Sequence, residues 1–179
     1  CGRGNNAGDG YVLAILLQEN NIYTKLFLIS ENFSIEGKYY FDICKERGIP
    51  YEIIDSQTSF SSFSIIVDCI FGTGYKGNLE KKERFAIQEI NNSNAYVVSV
   101  DINSGLNGDN GMADMCVISD LTISIGGYKP GHFLNMAKDK IKKLINVDIG
   151  INPVDNPYYL LEASDVIKAF KVRPNFSNK

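Results

Sequence analysis

Ala95-Tyr96-Val97-Val98-Ser99-Val100-Asp101-Ile102-Asn103-Ser104-Gly105 decides how this chain folds. Its first six residues form a short, nearly continuous apolar run, rich in β-branched side chains. Such a run has no solvent face, so it reads as a strand buried on both sides. Asp101 breaks the run, and Asn103, Ser104 and Gly105 turn the chain. Similar short runs lie to either side: Leu26 to Ile29, Tyr51 to Ile54, Phe63 to Ile70, Leu121 to Ile125, and a sixth at Ile145 to Ile149. Between them run helical patterns: Asp9 to Gln18, closed by Asn20-Asn21; Ser34 to Arg47, ended by Gly48 and Pro50; and Glu80 to Ile90, with Phe85, Ile87 and Ile90 apolar. Strands alternating with helices predict an α/β fold, doubly wound: a mostly parallel sheet with helices on both faces, a Rossmann-like three-layer sandwich. In such sheets ligands bind beyond the carboxyl ends of the strands.

Composition sets the limits around that fold. With 179 residues the chain fits one domain and hardly two. Hydrophobic residues make up 44%, which excludes disorder as the main state. No apolar run approaches the roughly 18–20 residues of a membrane helix. Eighteen basic and 21 acidic residues leave a net charge of −3, with no electrostatic footprint for nucleic acid. An anionic ligand must therefore be gripped locally. Cys1, Cys44, Cys69 and Cys116 form no C-x-x-C pair, and His132 is the only histidine, so a structural zinc site lacks its ligands. The cysteines read as reduced thiols of a cytoplasmic protein. The chain opens at Cys1 inside a glycine-rich segment, so its first element is expected to be missing. Arg173-Pro174-Asn175-Phe176-Ser177-Asn178-Lys179 closes the chain as a polar tail.

Four unusual segments fall at strand ends or helix starts: Gly2-Arg3-Gly4-Asn5-Asn6-Ala7-Gly8-Asp9-Gly10, Asp68-Cys69-Ile70-Phe71-Gly72-Thr73-Gly74, Asp101 to Gly105, and Gly126-Gly127-Tyr128-Lys129-Pro130-Gly131. A glycine-rich loop that opens a helix offers free N–H donors and a partial positive charge, hence a phosphate cradle. A turn with a helix cap accounts for the same residues equally well. Gly2-x-Gly4-x-x-Ala7 also fits the dinucleotide fingerprint, with Glu31 as its acid, although Glu31 lies beyond the usual spacing of roughly 20 residues. Asp68 and Asp101 end apolar strands, where a carboxylate is costly unless paired or bound to a cation. With Ser104 and Asn6 they make a hard-oxygen set suited to an alkali or alkaline-earth ion. Lys129 either contacts a phosphate or is solvated, and His132 reads as a surface histidine. Neither a nucleophile elbow nor a Gly-x-x-x-x-Gly-Lys-Ser/Thr loop occurs.

Taken in order, Gly2 to Gly10, Asp68 to Gly74, Val100 to Gly105, Lys129-Pro130-Gly131 and Asp148-Ile149-Gly150-Ile151 resemble the NAD(P)H-hydrate epimerase family, the YjeF N-terminal domain. The resemblance covers residues 1–155; residues 156–179 then read as a connector towards a fused C-terminal ADP/ATP-dependent dehydratase domain. It implies an isomerase of nicotinamide cofactor repair, acting on the R and S forms of hydrated NADH and NADPH (NADHX and NADPHX). It implies substrate contacts from Asn5, Asn6, Ala7, Gly8 and Asp9, from Gly72, Thr73, Gly74, Tyr75, Lys76, Gly77 and Asn78, and from Asp101. It implies a potassium ion (K+) held by Asn6, Asp68 and Ser104. Asp101 is the expected general acid/base. A homo-oligomer is expected, with no nucleic-acid or membrane partner. Ala7 departs from the family's glycine, adding a methyl to the ligand loop. Asn103 departs from its proline and is expected to loosen the backbone between Asp101 and Ser104. An NAD(P)-dependent oxidoreductase and a non-catalytic nucleotide-binding or interaction module are the competing readings.

Overall fold

A computed structural model describes residues 1–151 and 160–169. Six strands alternate with helices in the expected order: α1 (Asn5–Glu19), β1 (Leu26–Leu28), α2 (Ile35–Glu46), β2 (Tyr51–Ile53), β3 (Ile65–Asp68), α3 (Lys81–Asn92), β4 (Tyr96–Val100), β5 (Leu121–Ile125), α4 (Ala137–Lys140), β6 (Leu144–Val147) and α5 (Ala163–Ala169). Every strand pair among the described residues is parallel; a helix makes the crossover in each pair except β4–β5, which residues 101–120 join without one. The strands divide into a pair, β1–β2, and a sheet in the order β3-β4-β5-β6. Cys1 and Gly2 lie between these two groups and bond to both. The Cys1 amine donates to Phe27 O (2.7 Å), Ile29 N to Cys1 O (3.0 Å), and Gly2 N to Cys69 O (3.0 Å). A Cβ on Gly2 would stand 1.9 Å from Ile70 O, so only glycine passes here.

The helices cover both faces. On one side α1 and α2 pack Tyr11, Ala14, Ile15, Phe41 and Cys44 against Leu26 and Leu28 of β1. On the other, Ala86, Ile87 and Ile90 of α3 pack with Ile29, Ile54, Phe60, Ile70 and Val97. Each fully buried aliphatic side chain contributes roughly 1.5–3 kcal/mol. The alternation within strands is what divides Leu26 and Leu28 from Phe27, which lies with the α3 side.

The largest departure from the sequence-based expectation is at α1, which starts four residues early, at Asn5. The Gly-Asn-Asn segment is therefore helix start rather than loop, and its residues divide between a cavity side and a core side. Elsewhere local signals set the ends. Ser34 accepts from Gly37 N (3.1 Å) and caps α2, and Gly48 follows its last turn with φ +70°. All four cysteines are unpaired. No described helix is long and apolar enough to cross a membrane. The expected boundary near residue 155 lies outside the described residues. Within the expected connector, α5 is helical, with no buried residue.

Candidate active site

The carboxyl ends of β3, β4 and β5 and the N-terminus of α1 enclose a cavity of about 860 Å³. The first-turn amides of α1, which no helix can satisfy internally, face this end of the molecule. One wall is closely packed: a Cβ on Gly72 would lie 3.1 Å from Asp101 Oδ2 and 3.4 Å from Asn6 Cβ, so a larger residue there would press on the Asp101 side chain.

The floor is polar and buried. Asp68 at the end of β3 is 1% exposed. Its Oδ2 accepts from Ser104 N and Ser99 Oγ, both at 2.9 Å, and its Oδ1 from Ile70 N (3.2 Å) and Ser104 Oγ (2.5 Å). Burial pushes its carboxyl pKa up, against the pull of these donors. The same Ser104 hydroxyl accepts from Phe71 N (2.8 Å), tying the β3 loop to the β4 loop. Burial likewise lifts the adjacent Cys69 thiol to about 12, which keeps it unreactive. Asn6 donates through Nδ2 to Phe71 O (2.9 Å) and Val100 O (3.2 Å), while its buried Oδ1 has no partner. An orphaned buried acceptor costs about 1–3 kcal/mol. Phe71 O, which Asn6 Nδ2 bonds, also lies 3.5 Å from the Ser104 hydroxyl that donates to Asp68, so amide, carbonyl, hydroxyl and carboxylate oxygens meet in this region, a donor set that fits a hard monovalent cation. No group of three or more His, Cys, Asp or Glu side chains is placed to hold a metal among the described residues. A cation here would therefore rest on amide, hydroxyl and carbonyl oxygens as well as the single carboxylate of Asp68.

The mouth carries partly buried charge. Asp101 takes a left-handed backbone, φ 69°, unusual for a residue with a side chain. Its N–H donates to Ile123 O (2.7 Å) and its carbonyl accepts from His132 Nε2 (2.9 Å). Its Oδ2 accepts from Thr73 N (3.1 Å) and its Oδ1 is paired with Lys129 Nζ. The side chains of Lys129 and Asp101 are 19% and 17% exposed. Lys129 Nζ also reaches Ile125 O (2.9 Å) and Ser124 Oγ (3.3 Å). Across the cavity, burial raises the pKa of Asp9, and the charge of Asp101 adds to the effect. At the opposite rim Arg3 bonds Glu80 (2.8 Å) and stands 3.4 Å from Glu83.

The expected residues separate by position. Asn5, Asn6, Asp9, residues 72–78 and Asp101 line the cavity. Asp68 and Ser104 lie beneath it, buried. Ala7 and Gly8 do not line it: both are buried in the first turns of α1, and Ala7 packs with the α1–α2 core. The Ala7 methyl thus fills core rather than ligand space. Lys76 lines the cavity, but its ammonium pairs with Asp109. Glu31 is exposed and outside the cavity, which removes the acid from the dinucleotide fingerprint.

Two expectations are corrected. His132 is not a surface histidine; it is 4% exposed. Asn103 does not loosen its loop. It is fully buried, donates to Val117 O (2.9 Å) and Lys140 O (3.0 Å), and accepts from Thr122 Oγ1 (2.5 Å), supplying the rigidity a proline would. Sequence reasoning also missed Lys129 as the partner of Asp101, and Arg3, Glu80 and Glu83 as cavity lining. The available signal for Lys129 was its position, just past the end of β5 and followed by Pro130-Gly131.

A parallel α/β fold with a cavity at its strand ends is the architecture of a domain that binds its ligand in that crevice. The chain belongs to the family described as YjeF-related protein N-terminus, whose model matches residues 1–131. It is 32% identical over 173 residues to the bifunctional NAD(P)H-hydrate repair enzyme Nnr of Thermofilum pendens, covering 92% of this chain and 32% of that protein. It is 34% identical over 154 residues to the NAD(P)H-hydrate epimerase of Oenococcus oeni, covering 84% of this chain and 72% of the relative. The chain thus spans about a third of the bifunctional relative's length. The crystal structure of yeast YNL200c shares the fold, with a TM-score of 0.66 at 22% identity over 82% of this chain and 62% of the other.

Proposed function

We propose that this chain is an NAD(P)H-hydrate epimerase that interconverts the R and S epimers of NADHX and NADPHX. The observation that carries the reading is the ion-paired Asp101 carboxylate at the cavity mouth, held from three sides by Thr73, Lys129 and its own strained backbone. Membership in a family with relatives named for this activity supports it.

The reacting carbon, C6 of the hydrated nicotinamide ring, bears a hydroxyl beside the ring nitrogen. A carboxylate held as an ion pair acts first as a base. Asp101 takes the hydroxyl proton, C6 becomes a carbonyl, and the C6–N1 bond breaks with its electron pair passing to nitrogen. Rotation about C5–C6 presents the other face. N1 then re-forms its bond to C6, the oxygen takes the proton back from Asp101, and nothing is gained or lost overall. The loop of residues 72–78 and the start of α1 would hold the rest of the dinucleotide. Asn6, Asp68 and Ser104 would hold a potassium ion, as the orphaned Asn6 Oδ1 supports. Once bound, that ion would supply fixed positive charge against the substrate phosphates. A fused dehydratase acting on one epimer is part of the same proposal, supported by the bifunctional relatives.

The test starts from one resolved epimer. Chiral separation over time shows both epimers accumulating with the wild-type chain. Persistence of the starting epimer, at a rate no faster than in buffer, would contradict the reading.

A further inference from the structure

We propose that His132 is a positioning residue for this epimerisation: its neutral imidazole bridges the main chains of Asp101 and Lys129 and holds their side chains together at the cavity mouth. The inference deepens the epimerase reading and rests on the role given there to Asp101.

His132 sits on the single turn Pro130–His132, directly after the segment that carries Lys129. Its ring is buried, and both nitrogens are used. Nδ1 accepts from Lys129 N–H (3.1 Å), and Nε2 lies 2.9 Å from Asp101 O. An Nδ1 that accepts carries no proton, so the proton sits on Nε2 and is donated to the Asp101 carbonyl. One ring thus fixes two loops that leave different strands, β4 and β5. The bond to Asp101 has a particular use. The left-handed backbone of Asp101 costs of order 1–3 kcal/mol and persists only where its surroundings over-determine it. Two main-chain bonds do so, Asp101 N to Ile123 O and His132 Nε2 to Asp101 O, and only the second comes from a side chain. The Lys129 main chain is held by the other nitrogen, and its ammonium then reaches Asp101, Ser124 and Ile125. His132 itself is not among the cavity-lining residues, and its two ring nitrogens are spent on Asp101 and Lys129, so it acts through them.

Because His132 is the only histidine, its ring nitrogens can be read in solution without assignment ambiguity. Nitrogen NMR of histidine-labelled wild-type chain should show the neutral Nε2–H tautomer. A proton on Nδ1, or a freely averaging ring, would overturn the proposal even if no variant folds. The kinetic test uses three substitutions. His132→Phe keeps the ring and loses both bonds. His132→Gln can place a donor near the Nε2 position, and His132→Asn an acceptor near Nδ1. We expect kcat to fall by about 10²-fold in the Phe variant with KM within ~3-fold. Gln recovers kcat to within ~10-fold of wild type, whereas Asn stays with Phe. Wild-type kcat in the Phe variant, a loss carried by KM, or Gln no better than Phe would each overturn it. An inactive wild-type chain would instead sink the epimerase reading. The positioning would then be supported by an Asp101 amide signal that moves in the Phe variant and returns in the Gln variant.

Discussion

Two aspartates stand at the carboxyl ends of neighbouring strands, Asp68 as the last residue of β3 and Asp101 just past β4, and the molecule uses them in opposite ways. Asp68 lies under the cavity with four donors on its two oxygens. Asp101 stands at the mouth, with one oxygen bonded to a loop amide and the other to an ammonium. Every donor on Asp68 is fixed by backbone or by a buried serine, so that carboxylate organises its surroundings. Asp101 faces space that a ligand can enter, so its carboxylate can exchange a proton. Residue type is shared, and both stand at a strand's carboxyl end; burial and the nature of the donors divide the roles.

The comparison breaks most readily at Asp101. Asp101→Asn should lower the epimerisation rate by about 10³-fold, within the range of general acid–base catalysis. Its melting temperature should fall by no more than ~5 °C, because Lys129 Nζ keeps its bonds to Ile125 O and Ser124 Oγ. Asp68→Asn should show the reverse emphasis. Its amide group would meet a donor in place of an acceptor, costing about 2–3 kcal/mol and lowering the melting temperature by ~5–10 °C in thermal denaturation. Asn103→Ala should cost about 2 kcal/mol by the same measurement, since it removes the hydrogen bonds to Val117 O, Ser119 Oγ, Lys140 O and Thr122 Oγ1 and leaves Val117 O without that donor. A neutral result there would mean that the Asn103 network does not stiffen the loop between the two aspartates.

The smallest expected effect is on pH dependence. Burial lowers the pKa of His132 below its usual value, and the Lys129 charge adds to this, whereas the bond to the Asp101 carbonyl and the Asp101 charge oppose it. A folded pKa below the unfolded one means that the unfolded chain takes up the proton first as pH falls. The His132 contribution should be constant above pH ~6.5 and decline below it, by at most about 1.4 kcal/mol per pH unit. Denaturant melts of wild type and His132→Phe across that range isolate it, since the variant should lack this part of the slope.

The fold was legible in the sequence because its strands are short apolar runs with polar stops, which leave little choice of period. Asp68, Asp101 and Ser104 stood out for a related reason: polar groups at the end of such runs need partners. The start of α1 was not legible. Gly, Asn and Asp favour turns as readily as helix starts, and burial on the core side, visible only in three dimensions, extends the helix back to Asn5. His132 was misread because a histidine after Pro-Gly looks solvated. Its ring is bonded to Asp101, 31 residues away, a contact that no local pattern encodes. Asn103 was misread because backbone freedom was counted without the side-chain bonds that remove it.

The division of labour between the two aspartates is tested most directly by one time course. Wild type, Asp101→Asn and Asp68→Asn are each given a single resolved epimer of NADHX, at matched folded fractions checked by circular dichroism, and the epimers are separated as they form. Epimerisation should be lost in Asp101→Asn while Asp68→Asn keeps a rate within ~30-fold of wild type, as expected for a group that acts through its neighbours. Wild-type rates in Asp101→Asn, or the larger loss in Asp68→Asn, would contradict the account.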